Sequence, residues 1–232
     1  MNRPLLAVAL AGIVLLAGCS APLQTATAAD ADDATTVVTT GSGSVTADAD
    51  LAVLSLSVVA VADSADAARK DAANRSSTLV DALRDAGVDD DAITTAGYSL
   101  NAQYDREDAD PTEYRAVHAY RVEVAPDDAG TAIDAAVADA AAEVWGVSFT
   151  LSADTRADLR AEAVGNAVAD ARIDADAAAD AAGLTVTGVD HVEVGSMPVF
   201  AGRALESADA STELRPGPVT VEATVTVTYR VE

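Results

Sequence analysis

One thiol, two imidazoles and a run of carboxylates are the side chains through which this chain could do chemistry. The thiol belongs to Cys19, the only cysteine in 232 residues. It follows two small residues, Ala17 and Gly18, at the end of an apolar run from Leu5 to Ala17 that only Gly12 interrupts. A thiol is the nucleophile that lipid transfer needs, and small residues before it let a peptidase grip the backbone. The imidazoles, His118 and His191, have no cysteine or histidine at ligand spacing, which argues against a zinc site. Each falls in a strand pattern and reads as a buried or half-buried structural residue. Ser196 lies near His191, but nearness along the chain does not make a triad, and no G-x-S-x-G elbow occurs. The carboxylates Asp105, Glu107, Asp108 and Asp110 could hold a divalent cation. They lack the glycine and terminal glutamate of an EF-hand loop and read as a solvated hairpin loop. GSGSVT at 41–46 lacks a third glycine and precedes a strand, so it is no dinucleotide loop. No metal, cofactor or catalytic set is therefore expected.

The N-terminal segment sets the expected location. Arg3 supplies a short positive region, and the apolar run has the length of a signal-peptide core but falls short of the roughly 20 residues that span a bilayer. The end of the run, Leu16-Ala17-Gly18-Cys19, resembles the lipobox of bacterial-type and archaeal lipoproteins. The resemblance implies that residues 1–18 are removed and that Cys19 carries the lipid. The partner is then the membrane, through that lipid, and the protein sits on the outer face of the cell membrane. The plainer alternative is an ordinary secretory peptide with a cysteine at its cut site. One acyl chain holds only marginally, whereas two on one cysteine anchor stably. Residues 19–36, rich in Ala, Thr and Asp, read as a flexible tether, and residues 37–232 as a single folded domain. With its one thiol at position 19, the domain can form no internal disulfide and must rest on its core.

Composition narrows the partners. Loss of residues 1–18 leaves 13 basic and 38 acidic side chains, a net charge of −25; Lys70 is the only lysine. That charge repels nucleic acid and anionic surfaces. Hydrophobic residues make up 50% of the chain, too many for a disordered one. An acid-coated globule remains, of the kind expected in salt-loving organisms, where molar salt shortens the Debye length to about 3 Å and screens the self-repulsion.

The patterning predicts the elements that would carry these residues. The stretch from Gly41 to Asp63 reads as a strand with Leu54, Leu56, Val58 and Ala60 on its buried face and Ser55 and Ser57 opposite. A helix follows over 65–86, capped by Asp63-Ser64, with Ala68, Ala72, Leu79, Leu83 and Ala86 on one stripe and Gly87 past its end. Two strands around 93–105 and 113–124 flank the acidic loop. A second helix follows Pro126-Asp127, with Ile133, Val137 and Ala141 on its inner side. WGVSFTLS is a short strand in which Trp145 reads as a core plug. The longest helix, about 154–182, carries Val164, Val168, Ala171, Ala175, Ala178 and Ala182. That stripe is mostly alanine, so something must pack close against it. After Gly183 come a strand around 184–195, an irregular stretch over 196–217, and a C-terminal strand. The last has Val219, Val221, Ala223, Val225, Val227, Tyr229 and Val231 on one face. The order β-α-β-β-α-β-α-β-β predicts an α+β fold, a largely antiparallel sheet packed against helices.

Several of these phrases, in this order, resemble the SIMPL-domain family. They are GSGSVTADADLAVLSLSV, LVDALRDAGVDDDAITTAGYSL, EYRAVHAYRVEV, VWGVSFTLS and AEAVGNAVADARIDADAAADAAGL. Asp174 and Asp176 stand where the family usually carries lysines, in keeping with the acidic surface. The resemblance implies an extracytoplasmic protein linked to oxidative-stress defence, able in some members to assemble into rings, with no established enzyme activity and no catalytic residue to carry over. The expected function is a lipid-anchored, non-enzymatic binding or assembly protein in envelope or stress defence, with self-association through the long C-terminal strand and the alanine helix. The alternatives are a surface-anchored hydrolase, which would place His118 or His191 beside a carboxylate in a pocket, and a solute-binding lipoprotein.

Overall fold

The structure, a computed structural model, describes residues 35–104, 111–195, 199–200, 205–206, 212 and 214–232. Residues 1–34 with Cys19, the acidic residues Asp105, Glu107, Asp108 and Asp110, and Ser196 lie outside the described residues. The elements are β1 (Thr36–Asp48), β2 (Leu51–Ala62), α1 (Ala65–Asp85), β3 (Ile93–Gln103), β4 (Glu113–Val124), α2 (Ala129–Ala140), β5 (Glu143–Thr150), α3 (Ala153–Ala182) and β6 (Val186–Val194). The short strands β7 (Val199–Phe200), β8 (Leu205–Glu206) and β9 (Leu214–Arg215) follow, then β10 (Pro218–Val231). One sheet runs β1-β10-β6, with β7 also on β10; another runs β3-β4-β2-β5; β8 and β9 pair with each other. Their described pairings are all antiparallel. The α+β class holds, with its strands divided between two principal sheets.

The division begins where a single opening strand was expected. β1 and β2 are separate strands in different sheets, broken at Ala49-Asp50. The break has a physical use. The Asp50 carboxylate accepts the backbone N–H of Ser152 at 2.6 Å and its hydroxyl at 2.8 Å, and also bonds the Thr155 hydroxyl. It thus braces the N-terminus of α3, where Ser152 itself caps Thr155. Negative charge there also meets the positive end of the helix dipole. Burial pushes the Asp50 carboxyl up, but the bonds from Thr155 and Ser152 outweigh it and hold it below the usual carboxylate range.

In the first sheet, every second residue of β10 from Val219 to Val231 is buried, as its alternation predicts. α3 lies over β1 and β10 and reaches β6 only marginally. Its buried stripe is Ala163, Ala167, Ala171, Ala175 and Ala179. Ala171 and Ala175 were expected there, whereas Ala178 and Ala182 lie off it, and Val164 and Val168 pack only partly along its flank. The close neighbour that the alanines require is the backbone of β1. A Cβ built on Gly41 would stand 2.0 Å from the Ala167 carbonyl oxygen, and one on Gly43 2.2 Å from that of Ala163. The Thr39 hydroxyl also donates to the Ala171 carbonyl at 2.7 Å.

In the second sheet, α1 and α2 cover the face that carries Leu54, Leu56 and Val58. Ser64 caps α1 by accepting from Ala67 N–H at 3.3 Å, and Gly87 ends it at φ 92°. The buried side of α2 is Ala129, Ala132, Ile133, Ala136 and Ala140. Of the expected stripe only Ile133 lies on it: Val137 is exposed, and Ala141 closes the helix in the left-handed region at φ 49°. Trp145 is no core plug either; it is 71% exposed. Phe149 is buried and Val147 packs inward, so regular alternation would send Trp145 inward too. The pairing of β5 with β2 shifts by one residue between Ser55 and Leu56. A one-residue bulge exchanges faces. The indole N–H then donates to Ser57 on the outer side at 2.8 Å, and Ser57 is buried.

Candidate functional site

The layer between α1 and the second sheet is apolar at two places and polar between them. Leu79 and Leu83 of α1 join the main core, while Ala68 and Ala72 join Ala60 and Ala116 in a smaller cluster. Ser76 sits between these groups on the same buried stripe. Opposite it is His118 of β4, with Tyr120 two residues on and therefore on the same strand face. The pairing of β3 with β4 shifts between Thr95 and Gly97, next to Tyr98.

His118 is bonded on both ring nitrogens. Nδ1 lies 3.0 Å from the Ser76 hydroxyl and 3.0 Å from the Tyr120 hydroxyl; Nε2 lies 3.2 Å from that of Thr95. Tyr98 meets the imidazole edge-on with ring centres 5.6 Å apart, and Tyr120 lies against it at 4.3 Å. Burial pushes the imidazole pKa down and so favours the neutral ring. Above it opens a cleft of about 700 Å³ whose helix wall includes Ala73 and Val80, with Arg69 and Arg84 along its length. Both guanidinium groups are already paired. Arg69 bonds Asp66 at 2.9 Å, a carboxylate shared with Lys70; Arg84 bonds Asp81 at 3.0 Å and also Asp90. A concave, mostly apolar site with a few converging polar groups and a shifted pKa is the usual form of a binding pocket.

The chemistry such a site can do follows from its partners. Ser76 and His118 are within the reach of a nucleophile–base pair, but the third group is the Thr95 hydroxyl. A carboxylate would stabilise an imidazolium; a hydroxyl does so far less. Among the described residues no carboxylate bonds His118, and no group of three or more His, Cys, Asp or Glu is placed to hold a metal ion. The arrangement suits recognition through neutral hydrogen bonds and ring contacts.

Of the two histidines singled out by sequence, His118 is half-buried as expected, whereas His191 of β6 is exposed. Among the described strands β6 ends its sheet, and α3 reaches it only marginally, which leaves His191 exposed. The structure does not bring the two together: they lie on different sheets. Ser76, Thr95, Tyr98 and Tyr120 were not anticipated. One signal was available, a serine in the otherwise apolar stripe Ala68, Ala72, Leu79, Leu83. Ser76 is also the third residue of the sequon Asn74-Arg75-Ser76, which lies within α1, with the serine turned to His118.

A second feature lies on β6. Val194, Val192 and Val189 pair with Val225, Val227 and Tyr229 of β10, which are buried under α3. The same face therefore continues past the helix, and there the three β6 valines are 46%, 42% and 45% exposed. No helix among the described residues is long and apolar enough to cross a membrane.

A two-sheet α+β domain with helices on the sheets and no metal cluster among its described residues defines a class by fold rather than by chemistry. The family described as SIMPL, a protein of unknown function (DUF541), matches residues 37–229, and the chain belongs to that family. No curated protein matches this chain.

Proposed function

We propose that this SIMPL-domain protein is lipid-anchored through Cys19 on the outer face of the cell membrane and acts by binding and self-assembly rather than by catalysis, in envelope or oxidative-stress defence. The C-terminal strand and the alanine helix, expected to mediate assembly, are used inside the domain, with β10 paired on both sides and the α3 alanines packed on β1 and β10; the observation that carries the reading is instead the β6 row of Val189, Val192 and Val194. These side chains extend a core layer outward, 42–46% exposed, beside a strand edge that no described strand pairs. Edge strands that present apolar side chains pair readily with another chain, and a second copy offers the same row in return. The lipobox-like Leu16-Ala17-Gly18-Cys19 supports the anchor, and the acidic composition supports a salt-rich exterior.

Light scattering of the full chain tests the assembly. The native protein is expected above monomer mass, and Val192→Asp is expected to return it to monomer with its circular dichroism unchanged. A native monomer, or a Val192→Asp protein that keeps the assembled mass, refutes assembly through β6. Membrane fractionation of Cys19→Ser tests the anchor separately, with release into the soluble fraction as the expected result.

A further inference from the structure

We propose that the cleft between α1 and the β3–β4 face binds a small, flat, uncharged molecule that carries a carbonyl acceptor on an aromatic ring, of the aryl ketone class. The proton balance around His118 sets the polarity of that ligand. A neutral imidazole has one N–H and one lone pair, and each hydroxyl has one proton to give. Ser76 and Tyr120 both reach Nδ1, and Thr95 reaches Nε2. When Nδ1 is the acceptor, it takes the proton of one of the two hydroxyls and leaves the other's. When Nδ1 is protonated, it gives its proton to them and takes neither of theirs. In either tautomer a hydroxyl that lines the cleft, Ser76 or Tyr120, keeps a proton for which the cluster has no acceptor. The site thus has a donor to spare and asks for an acceptor.

Shape and charge complete the specification. Tyr98 and Tyr120 frame His118 with ring contacts, and Ala73 and Val80 line the facing helix. Offset and edge-on contacts of this kind favour another flat ring. A volume of about 700 Å³ lies within the range of small-molecule sites. An anion is disfavoured: Arg69 and Arg84 are engaged by Asp66, Asp81 and Asp90, and the whole chain carries −24. The excess positive charge that would draw a carboxylate or phosphate into the cleft is missing from its described lining.

The test uses three probes of one shape: 2-acetylnaphthalene, which has the carbonyl; 2-ethylnaphthalene, which lacks it; and 2-naphthoate, which is charged. Each is titrated into the full chain while the ring signals of the two histidines are followed by NMR. His118 reports the cleft, and His191, exposed on the other sheet, serves as the reference. The ketone is expected to move His118 and not His191, and to bind about five- to tenfold tighter than the hydrocarbon, the worth of one net hydrogen bond. The double variant Ser76→Ala/Tyr120→Phe is expected to abolish that difference while still binding the ring. Equal affinity for ketone and hydrocarbon, tighter binding of naphthoate, or an unmoved His118 overturns the proposal. The native protein alone decides these outcomes, so a variant that fails to fold does not shelter it. β6 lies on the other sheet, so the result is independent of self-association.

Discussion

Replacing Gly43 or Gly41 by alanine adds one methyl group to a strand whose neighbour is the backbone of a helix. At Gly41 the new Cβ stands 2.0 Å from the Ala167 carbonyl oxygen and 2.4 Å from the Ala171 nitrogen; at Gly43 it stands 2.2 Å from the Ala163 oxygen and 2.5 Å from the Ala167 nitrogen. Real Cβ contacts begin near 3.0 Å, so α3 must move away by about 1 Å. Backbone atoms cannot swing aside as a flexible side chain does. A gap of 0.5–1 Å forfeits roughly a quarter to a half of a dispersion contact. The five buried alanines of α3 each carry a methyl worth about 0.8 kcal/mol of burial, some 4 kcal/mol together, of which about 1–2 kcal/mol is lost. The facing side chains of β10 lose a similar amount. Restricting the unfolded chain by alanine returns about 0.4–1 kcal/mol. The net expectation is a destabilisation of about 1–3 kcal/mol for either variant, within the usual cost of overpacking. For a domain of this length that lowers the melting temperature by about 2–12 °C.

Urea unfolding followed by circular dichroism at fixed salt measures the effect, and Gly165→Ala supplies the opposite control. Gly165 lies inside α3, where an added Cβ meets nothing within 4 Å. Alanine there is expected to stabilise the protein by up to about 1 kcal/mol through helix propensity. The sign of the effect thus depends on what the methyl group meets. If Gly41→Ala and Gly43→Ala match or exceed the native protein in stability, α3 does not rest on the β1 backbone, and the account of the alanine stripe fails.

Asp50→Ala removes the brace on the N-terminus of α3 and is expected to cost about 1–2 kcal/mol in the same unfolding assay. The depressed Asp50 pKa means that its contribution is present above the ordinary carboxylate range and is lost as pH falls through the folded-state value; the variant should be correspondingly less acid-sensitive. The His118 ring signals should titrate below the ordinary imidazole value of about 6.5. The unfolded state then binds the extra proton first, so stability falls on acidification through and below that value, and His118→Gln should flatten the fall; a His118 that titrates above the ordinary value refutes the desolvated, neutral ring. Ala141→Gly relieves a left-handed alanine at φ 49° and is expected to raise stability by up to about 1 kcal/mol in urea unfolding.

What could be read from the sequence is what repeats. β10 alternates over seven buried positions, and a period of two leaves little freedom over which face turns inward. The alanine stripe of α3 announces a close neighbour, and the glycines of the opening strand supply it; the two stretches stand some 120 residues apart and meet only in the fold. Short or interrupted patterns gave less. The break at Ala49-Asp50 was invisible because the alternation continues on either side of it, and its purpose, bracing α3, lies about 100 residues away in Ser152 and Thr155. Trp145 turned outward because a one-residue bulge reverses the face, and nothing in a single strand's sequence announces a bulge in its pairing. The cleft is the extreme case. Its polar centre joins α1, β3 and β4 through contacts 42 and 23 residues apart, each made by a residue type common in strands and helices. Its one trace is Ser76, a polar residue where the helix stripe calls for an apolar one. A hydroxyl placed on a buried stripe must have a partner, since leaving it unmet costs about 1–3 kcal/mol. A helical hydroxyl can also meet that need at the carbonyl one turn back, as Ser77 and Thr78 of the same helix do, so the stripe by itself marks Ser76 as a polar position in need of a partner, and only the fold shows that the partner is His118 on the facing strand.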